Sequence, residues 1–243
     1  MSAPSYSEYV ATIRKEGEAI LAPARYGVDE PVPTCGAWTV GNLLTHLGRV
    51  YNRAATVVSE RLTSPQDFPP EPPEGTDAIA YLTDALDDLV AALTSADPDT
   101  PVWNRFPEPQ TASFWARRMA HESAVHRYDA QLAHGVAQPI DADLARDALD
   151  EMIDVLLPLV VTRDEVKLPD ATYVFTTTDD GSWIVRLGAD GVQRLDVAKD
   201  RDVTVRGTPS ALLLAAYNRV RWTSLEVDGD IALLEQWSDL LKF

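Results

Sequence analysis

Histidine and glutamate side chains at helical spacing are the groups in this sequence whose types could support chemistry. The chain contains four histidines, at His46, His121, His126 and His134. Glu122 lies four residues before His126, so on a helix both side chains leave one face with their Cβ atoms about 6 Å apart. His46 is in line with apolar residues of an earlier segment, which places it on the buried stripe of a second amphipathic helix.

These three side chains could form a metal site. Packing the two helices together would bring His46, Glu122 and His126 to one point, and two imidazoles with one carboxylate suit zinc or another divalent first-row metal. Three protein ligands leave one coordination position open, as in catalytic sites. The same spacing also occurs on helices that bind no metal, and His46 is also compatible with a hydrogen-bonded core histidine. We expect His121 to have a packing or outer-shell role and His134 to lie at a helix end.

Helical periodicity extends to about residue 161. The apolar residues Tyr9, Ile13 and Ile20 predict a first helix that ends near residues 23–27. Four further helices are predicted at about 39–62, 76–94, 111–134 and 141–161. Thr39, Thr111 and Asp141 are suitable N-cap residues for three of them. Amphipathic helices joined by polar, Pro-rich connections indicate a helix bundle.

The period changes after Pro169. Segments 173–178, 183–187, 192–197, 203–206 and 225–227 predict strands, and two Asp-Gly turn signals separate the first three. Helices are predicted at 209–220 and 231–241. This order predicts a small α+β domain with an antiparallel sheet. We therefore expect a helical domain over residues 1–165 and an α+β domain over residues 166–243.

Composition excludes several classes of protein. The net charge is −17, with 38 acidic and 21 basic residues, which disfavours binding to nucleic acid and to an anionic membrane surface. The apolar run at about residues 155–161 is too short to span a bilayer, and the N-terminus does not resemble a signal peptide. Cys35 is the single cysteine, so we expect a reducing cytoplasm and treat this thiol as structural.

Two motifs resemble a known family. Residues 32–48 (VPTCGAWTVGNLLTHLG) and 121–129 (HESAVHRYD) are similar to signatures of mycothiol-dependent maleylpyruvate isomerase-like proteins. That family joins a DinB-like four-helix bundle to a C-terminal domain similar to sterol carrier protein type 2. Arg219, residues 225–230 and Trp237 resemble the end of the second domain. The chain departs from the family pattern at Gly36-Ala37, where Pro-Gly is common, at Asn42, which replaces Asp, and at Asn218, which replaces Gly.

The resemblance implies a function. It implies that His46, Glu122 and His126 bind a divalent metal, with zinc the expected ion, and that mycothiol, the thiol of actinobacteria, is the cosubstrate. The enzyme would then be an isomerase or S-transferase that acts on a small electrophile, as a cytoplasmic monomer or homodimer. Two alternatives stay open: a metal-dependent hydrolase on the same site, and a non-enzymatic protein that binds a small ligand.

Four further residues are candidates for the site. Asp129 could orient a metal ligand or bind the cosubstrate, and a solvated acid on the helix surface is the alternative. Arg127 could bind a carboxylate of the cosubstrate, and an exposed salt bridge is the alternative. Arg219 and Trp222 follow a helix of the second domain. There Arg219 could hold a substrate carboxylate, and Trp222 could help to bind the cosubstrate. We expect the two domains to meet across a cleft, with Arg219 near the wall opposite the metal.

Overall fold

The computed structural model describes residues 3–106, 108–164, 167–179 and 181–240. Their contacts divide the chain into two compact units, an N-terminal unit of Pro4–Gln138 and a C-terminal unit that begins at Pro139 and also includes Ala3. The domain boundary predicted between residues 165 and 166 lies outside the described residues. The units divide earlier because the helix after Pro139 packs on a helix of the C-terminal unit.

The N-terminal unit is a bundle of helices. Its helices are α1 (Tyr6–Ala24), α2 (Val40–Ser59), α3 (Ala78–Ser95) and α4 (Ala112–Ala133). Helix α1 packs against α4 and α3, and α2 packs against α3 and α4. The apolar stripes meet in a core that includes the fully buried Ile13, Leu47 and Leu89. The bundle predicted from the helical periodicity is confirmed.

The start of α2 is set by a reciprocal cap. The Thr39 side chain accepts a hydrogen bond from the backbone N–H of Asn42, and the Asn42 side chain accepts one from the backbone N–H of Thr39. Thr39 is the predicted N-cap of this helix, and the capping pair satisfies donors that a helix otherwise leaves unpaired. The cap thereby fixes where on the bundle His46 is presented, less than two turns further along α2.

The C-terminal unit combines helices with one sheet. The helices are α5 (Ala142–Glu151), α6 (Leu157–Asp164), α7 (Pro209–Ala216) and α8 (Ile231–Leu240), with a π-helical turn at Met152–Leu156 and a 3₁₀ turn at Trp222–Ser224. The strands are β1 (Ala171–Thr177), β2 (Ser182–Gly188), β3 (Gly191–Leu195), β4 (Val203–Gly207) and β5 (Glu226–Gly229). The strand order is β3-β2-β1-β4-β5. Asp141 caps α5 as predicted, and α5 packs on α7.

The sheet is mixed, so the prediction of an antiparallel sheet is wrong at one pair of strands. Strands β1 and β4 run parallel, with Tyr173 opposite Val203 and Phe175 opposite Val205, and the other pairs are antiparallel. After the β1-β2-β3 meander the chain crosses back and adds β4 on the other side of β1. Strand β1 is buried along most of its length because it lies at the centre of the sheet.

Membrane insertion is not indicated by the helices. Among the helices of the described residues, none is both long enough and apolar enough to cross a bilayer.

A buried ion pair joins α1 to α4. The Arg127 Nε donates to Glu16 Oε2 at 2.7 Å, and both side chains are 6% exposed. The Arg127 Nη1 also donates to the Gln131 side chain at 2.8 Å and to the Gln138 carbonyl at 2.5 Å. A buried guanidinium with these partners is a structural contact within the bundle.

Removing the Glu16 charge should destabilise the bundle. We expect Glu16→Gln to lower the free energy of unfolding by about 3 kcal/mol, because it removes a carboxylate that pairs with the buried Arg127 guanidinium. Urea unfolding measures the change, and Glu18→Gln, at an exposed position of the same helix, is the matched control. Equal stability of the two variants would contradict a structural role for the pair.

Candidate metal centre

Helices α2 and α4 bring the three predicted ligands together. His46 Nε2 lies 3.6 Å from Glu122 Oε1, and His126 Nε2 lies 3.3 Å from the same oxygen. The two imidazole rings meet edge to face with centroids 5.5 Å apart. One ligand atom from each of the three residues lies within 4.8 Å of the others. The predicted convergence of these side chains is therefore present in the structure.

The donor set fits a small divalent metal. Bonds of 2.0–2.1 Å in a tetrahedral site place neighbouring ligand atoms about 3.3 Å apart. The separations of 3.3 and 3.6 Å to Glu122 Oε1 are close to that value. The His46 side chain is 30% exposed, whereas those of Glu122 and His126 are 15% and 11% exposed. A cation held there would be anchored on the buried side and reachable from the side of His46.

The charges around the site are balanced by protonation. Burial raises the pKa of Glu122, but the Arg118 guanidinium and hydrogen bonds from His126 and His46 outweigh it and hold that pKa well below its ordinary value. Burial lowers the pKa of His126, but hydrogen bonds to Asp129 and Glu122 outweigh it and raise the pKa to about 9. The carboxylates of Glu122 and Asp129 therefore lie beside the protonated His126 and Arg118. A divalent cation could replace the proton of His126 in such a cluster.

Asp129 lies behind His126, on the side away from Glu122. Its Oδ2 is 2.9 Å from His126 Nδ1, and its side chain is completely buried. An ionised carboxylate only accepts hydrogen bonds, so Nδ1 carries the proton in this contact and Nε2 is the nitrogen turned toward Glu122. This is the arrangement in which carboxylates orient metal-binding histidines. The geometry favours a role for Asp129 in orienting His126 over a role as a solvated acid on the helix surface.

The loop before α2 contacts His46 directly and is linked to His126 through Asp129. The Trp38 ring lies 5.0 Å from the His46 ring, and Thr34 Oγ1 donates to Asp129 Oδ1 at 2.6 Å. Gly36 has a φ of 64°, a value that proline cannot adopt. The proline expected at position 36 from the resemblance would therefore not fit this turn, whereas glycine does.

Sequence reasoning missed two residues at the site. Arg118 pairs with the second oxygen of Glu122. Its position four residues before Glu122 on the helix could have predicted this ion pair. Thr34 gave no local signal, because its partner lies 95 positions away in the chain.

The remaining histidines and the cysteine have other surroundings. His121 is fully buried, with its ring edge-on to Tyr9, and His134 lies at the end of α4 within hydrogen-bond distance of two backbone carbonyls. Both agree with the roles expected for them. Cys35 is half-buried, and its Sγ lies 3.6 Å from Asp129 Oδ2. This thiol therefore lies next to the candidate site, which the sequence did not predict.

The other predicted site residues have structural contacts. Arg127 is engaged with Glu16 rather than exposed on the helix surface. Trp222 is buried in the C-terminal unit, where its ring stacks on Phe175 and its Nε1 donates to Ser238 Oγ at 3.0 Å. Arg219 is half-buried and its Nη1 donates to the Tyr217 carbonyl at 2.8 Å.

Asn218 has a backbone conformation that suits the glycine expected from the resemblance before Arg219. Its φ is 63°, in the left-handed region that ends many helices, where glycine is favoured and asparagine is the best-tolerated replacement. The substitution therefore preserves the turn that carries Arg219.

Comparison with family models covers both units. The model of the mycothiol maleylpyruvate isomerase N-terminal domain matches residues 10–131. The model of the C-terminal domain of the same family matches residues 143–236. The chain belongs to the mycothiol maleylpyruvate isomerase family. The resemblance read from the two motifs is thereby confirmed, and so is the expectation of an enzyme of this thiol-dependent isomerase class.

Solved structures give the same fold. A crystal structure of a mutant of mycothiol-dependent maleylpyruvate isomerase is 12% identical, with a TM-score of 0.65 over 94% of this chain and 96% of that one. A second crystal structure of mycothiol-dependent maleylpyruvate isomerase is 14% identical, with a TM-score of 0.62 over the same shares. A comparison with curated proteins gives no significant match. The likeness to the solved structures shows the fold, a helical unit followed by a unit with a sheet.

Metal content tests the ligand set. We expect the purified protein to hold one divalent ion per chain, and His126→Ala to bind the ion at least roughly 10–100-fold more weakly, since even outer-shell losses cost that much. Elemental analysis after dialysis measures the content. His134→Ala, which alters the same helix outside the ligand set, is the control. Equal metal content in the wild-type protein and His126→Ala would contradict the assignment.

Proposed function

We propose that this chain is a metal- and mycothiol-dependent enzyme that acts on a small electrophile, by isomerisation or by S-transfer. The observation that carries the proposal is the convergence of His46, Glu122 and His126 within 4.8 Å in a member of this family. The structures that share the fold are described as mycothiol-dependent maleylpyruvate isomerase, which supports a thiol as the cosubstrate.

The metal is proposed to be zinc, held by the two imidazoles and the carboxylate. A divalent ion held by these three side chains would have an open coordination position and would lower the pKa of a bound thiol, which is near 8.5 for a free thiol. This accounts for how a small thiol becomes a nucleophile at neutral pH.

The residues of the chain have separate tasks in this proposal. Glu122 presents one oxygen to both imidazoles, and its other oxygen pairs with Arg118, which restricts rotation of the carboxylate. His46 is the more exposed ligand, so the thiol approaches from its side. Asp129 keeps the His126 ring oriented. Arg127 has no cosubstrate contact in this proposal, because its guanidinium is held by Glu16.

Arg219 is proposed to hold a carboxylate of the electrophilic substrate. The guanidinium offers paired donors that match a carboxylate. The assignment depends on the motif resemblance at Arg219, which lies within the range matched by the C-terminal domain model, residues 143–236, and on the turn at Asn218. Trp222 is buried against Phe175, and the proposal gives it the role of supporting the turn that carries Arg219.

The setting of the enzyme is part of the proposal. Mycothiol is the thiol of actinobacteria, so we place the protein in an actinobacterial cytoplasm, as a monomer or homodimer. The acidity of the chain, with a net charge of −17, makes nucleic acid and anionic membranes unsuitable partners.

Turnover should depend on an added thiol. We expect the zinc-loaded enzyme to consume a small electrophile only when mycothiol is present, and Glu122→Ala to lose at least about 100-fold in kcat/KM, because one metal ligand is gone. Mass spectrometry of the reaction detects either an isomerised product or a thiol adduct. His134→Ala, which leaves the ligand set intact, should retain wild-type activity.

A metal-dependent hydrolase would behave differently. Turnover at the same rate without thiol, with incorporation of oxygen from water into the product, would refute the thiol role and establish the hydrolase alternative.

Loss of Arg219 should affect substrate binding and leave the metal in place. We expect Arg219→Ala to raise KM by about tenfold or more, equivalent to roughly 1.4 kcal/mol, because a charge-assisted pair with the substrate is lost. The metal content should stay at the wild-type value. Arg221→Ala, at an exposed position two residues further on, is the matched control. An unchanged KM in Arg219→Ala would remove this arginine from the substrate site.

A further inference from the structure

The buried carboxylate of Asp129 receives hydrogen bonds from two directions. Its Oδ2 takes the Nδ1–H of His126 at 2.9 Å, and its Oδ1 takes the hydroxyl of Thr34 at 2.6 Å. The hydroxyl bond is short, as is usual when the acceptor is ionised. Because the Asp129 side chain has no exposure to solvent, water cannot replace a donor that is lost from it.

The loop that carries Thr34 is closed by its own backbone. The Val32 N–H donates to the Trp38 carbonyl at 2.8 Å, the Trp38 N–H donates to the Cys35 carbonyl at 3.2 Å, and Val32 is fully buried. Pro31 forms an isolated bridge with Thr39, the residue that caps α2. Thr34 is therefore presented to Asp129 from a backbone that is fixed at both ends to the start of α2.

We propose that Thr34 is a positioning residue for the metal centre, which acts through Asp129 to hold the His126 imidazole with Nε2 directed at Glu122 and His46. The inference rests on the metal site of the proposed function and deepens it. Thr34 fixes the rotation of the Asp129 carboxylate, and the carboxylate fixes the rotation of the imidazole. The loop before α2 thereby positions the ligand on α4, while its Trp38 ring lies against the ligand on α2.

Cys35 supplies the alternative explanation that the test must separate. Cys35, Asp129 and His126 also offer three ligand atoms within 4.8 Å of one another. Asp129 Oδ2 lies 3.6 Å from Cys35 Sγ and 2.9 Å from His126 Nδ1, so a cation bound between these atoms would compete with the Asp129–His126 hydrogen bond. The hydrogen-bonded arrangement uses the same atoms without a second cation, and in it Cys35 is a weak donor to Asp129 at 3.6 Å.

The test compares Thr34→Val, which removes the hydroxyl at constant size, with Thr34→Ser, which retains it. Zn²⁺ affinity of the full-length protein is measured by competition with a chromophoric chelator at fixed pH. We expect Thr34→Val to bind Zn²⁺ about tenfold or more weakly, the effect typical of an outer-shell loss, and Thr34→Ser to bind it as the wild-type protein does. The visible spectrum of the Co²⁺-substituted protein should change in Thr34→Val and be restored in Thr34→Ser.

Thr83→Val is the matched control for general destabilisation. The Thr83 hydroxyl donates to the Ile79 carbonyl at 2.7 Å on α3, so this variant also loses one half-buried hydrogen bond in the N-terminal unit. We expect it to change the unfolding temperature without changing Zn²⁺ affinity. Thr34→Val that binds Zn²⁺ as tightly as Thr83→Val, or Thr34→Ser that fails to restore binding, would overturn the positioning role.

Three outcomes separate failure of this inference from failure of the proposed function. A thiolate-to-cadmium charge-transfer band on addition of Cd²⁺, present in the wild-type protein and missing in Cys35→Ser, would make Cys35 a ligand and overturn the proposal. A wild-type protein that binds no Zn²⁺ would overturn the metal site of the proposed function together with this inference. Tight wild-type binding with no effect of Thr34→Val would overturn this inference alone.

Discussion

The carboxylate of Glu122 is the contact on which the site depends. One of its oxygens lies 3.3 and 3.6 Å from the imidazoles of His126 and His46, and the other pairs with Arg118. Because these side chains come from two helices, the packing of α2 against α4 must be reproduced closely for the three ligand atoms to converge. The bundle core and the cap at Thr39 are therefore prerequisites of the proposed metal site.

Electrostatics explains why this cluster is stable before any metal binds. The carboxylates of Glu122 and Asp129 lie within the bundle beside Arg118 and His126, and the His126 pKa rises to about 9 because the carboxylates outweigh burial. The protein thus keeps the ligands assembled with a proton where a cation would otherwise be. Outside this cluster, the Glu16–Arg127 pair provides a separate buried charge contact that secures α1 to α4.

Features that depend on local spacing along the chain could be predicted from the sequence. Glu122 and His126 lie one helical turn apart, and Thr39 stands directly before an apolar stripe, so both could be identified without tertiary contacts. The parallel pairing of β1 with β4 could not, because a strand's own alternation carries no information about the direction of its neighbour. Thr34 and the burial of Arg127 also depended on partners 95 and 111 positions away.

X-ray absorption spectroscopy of the zinc-loaded protein, before and after addition of mycothiol, shows whether the metal binds the thiol. We expect a first shell of nitrogen and oxygen atoms at about 2.0–2.1 Å, which gains one sulfur at about 2.3 Å when the thiol is added. Cys35→Ser should give the same result, because the sulfur comes from the cosubstrate. A shell that gains no sulfur, or one that contains sulfur before thiol is added, would contradict the account.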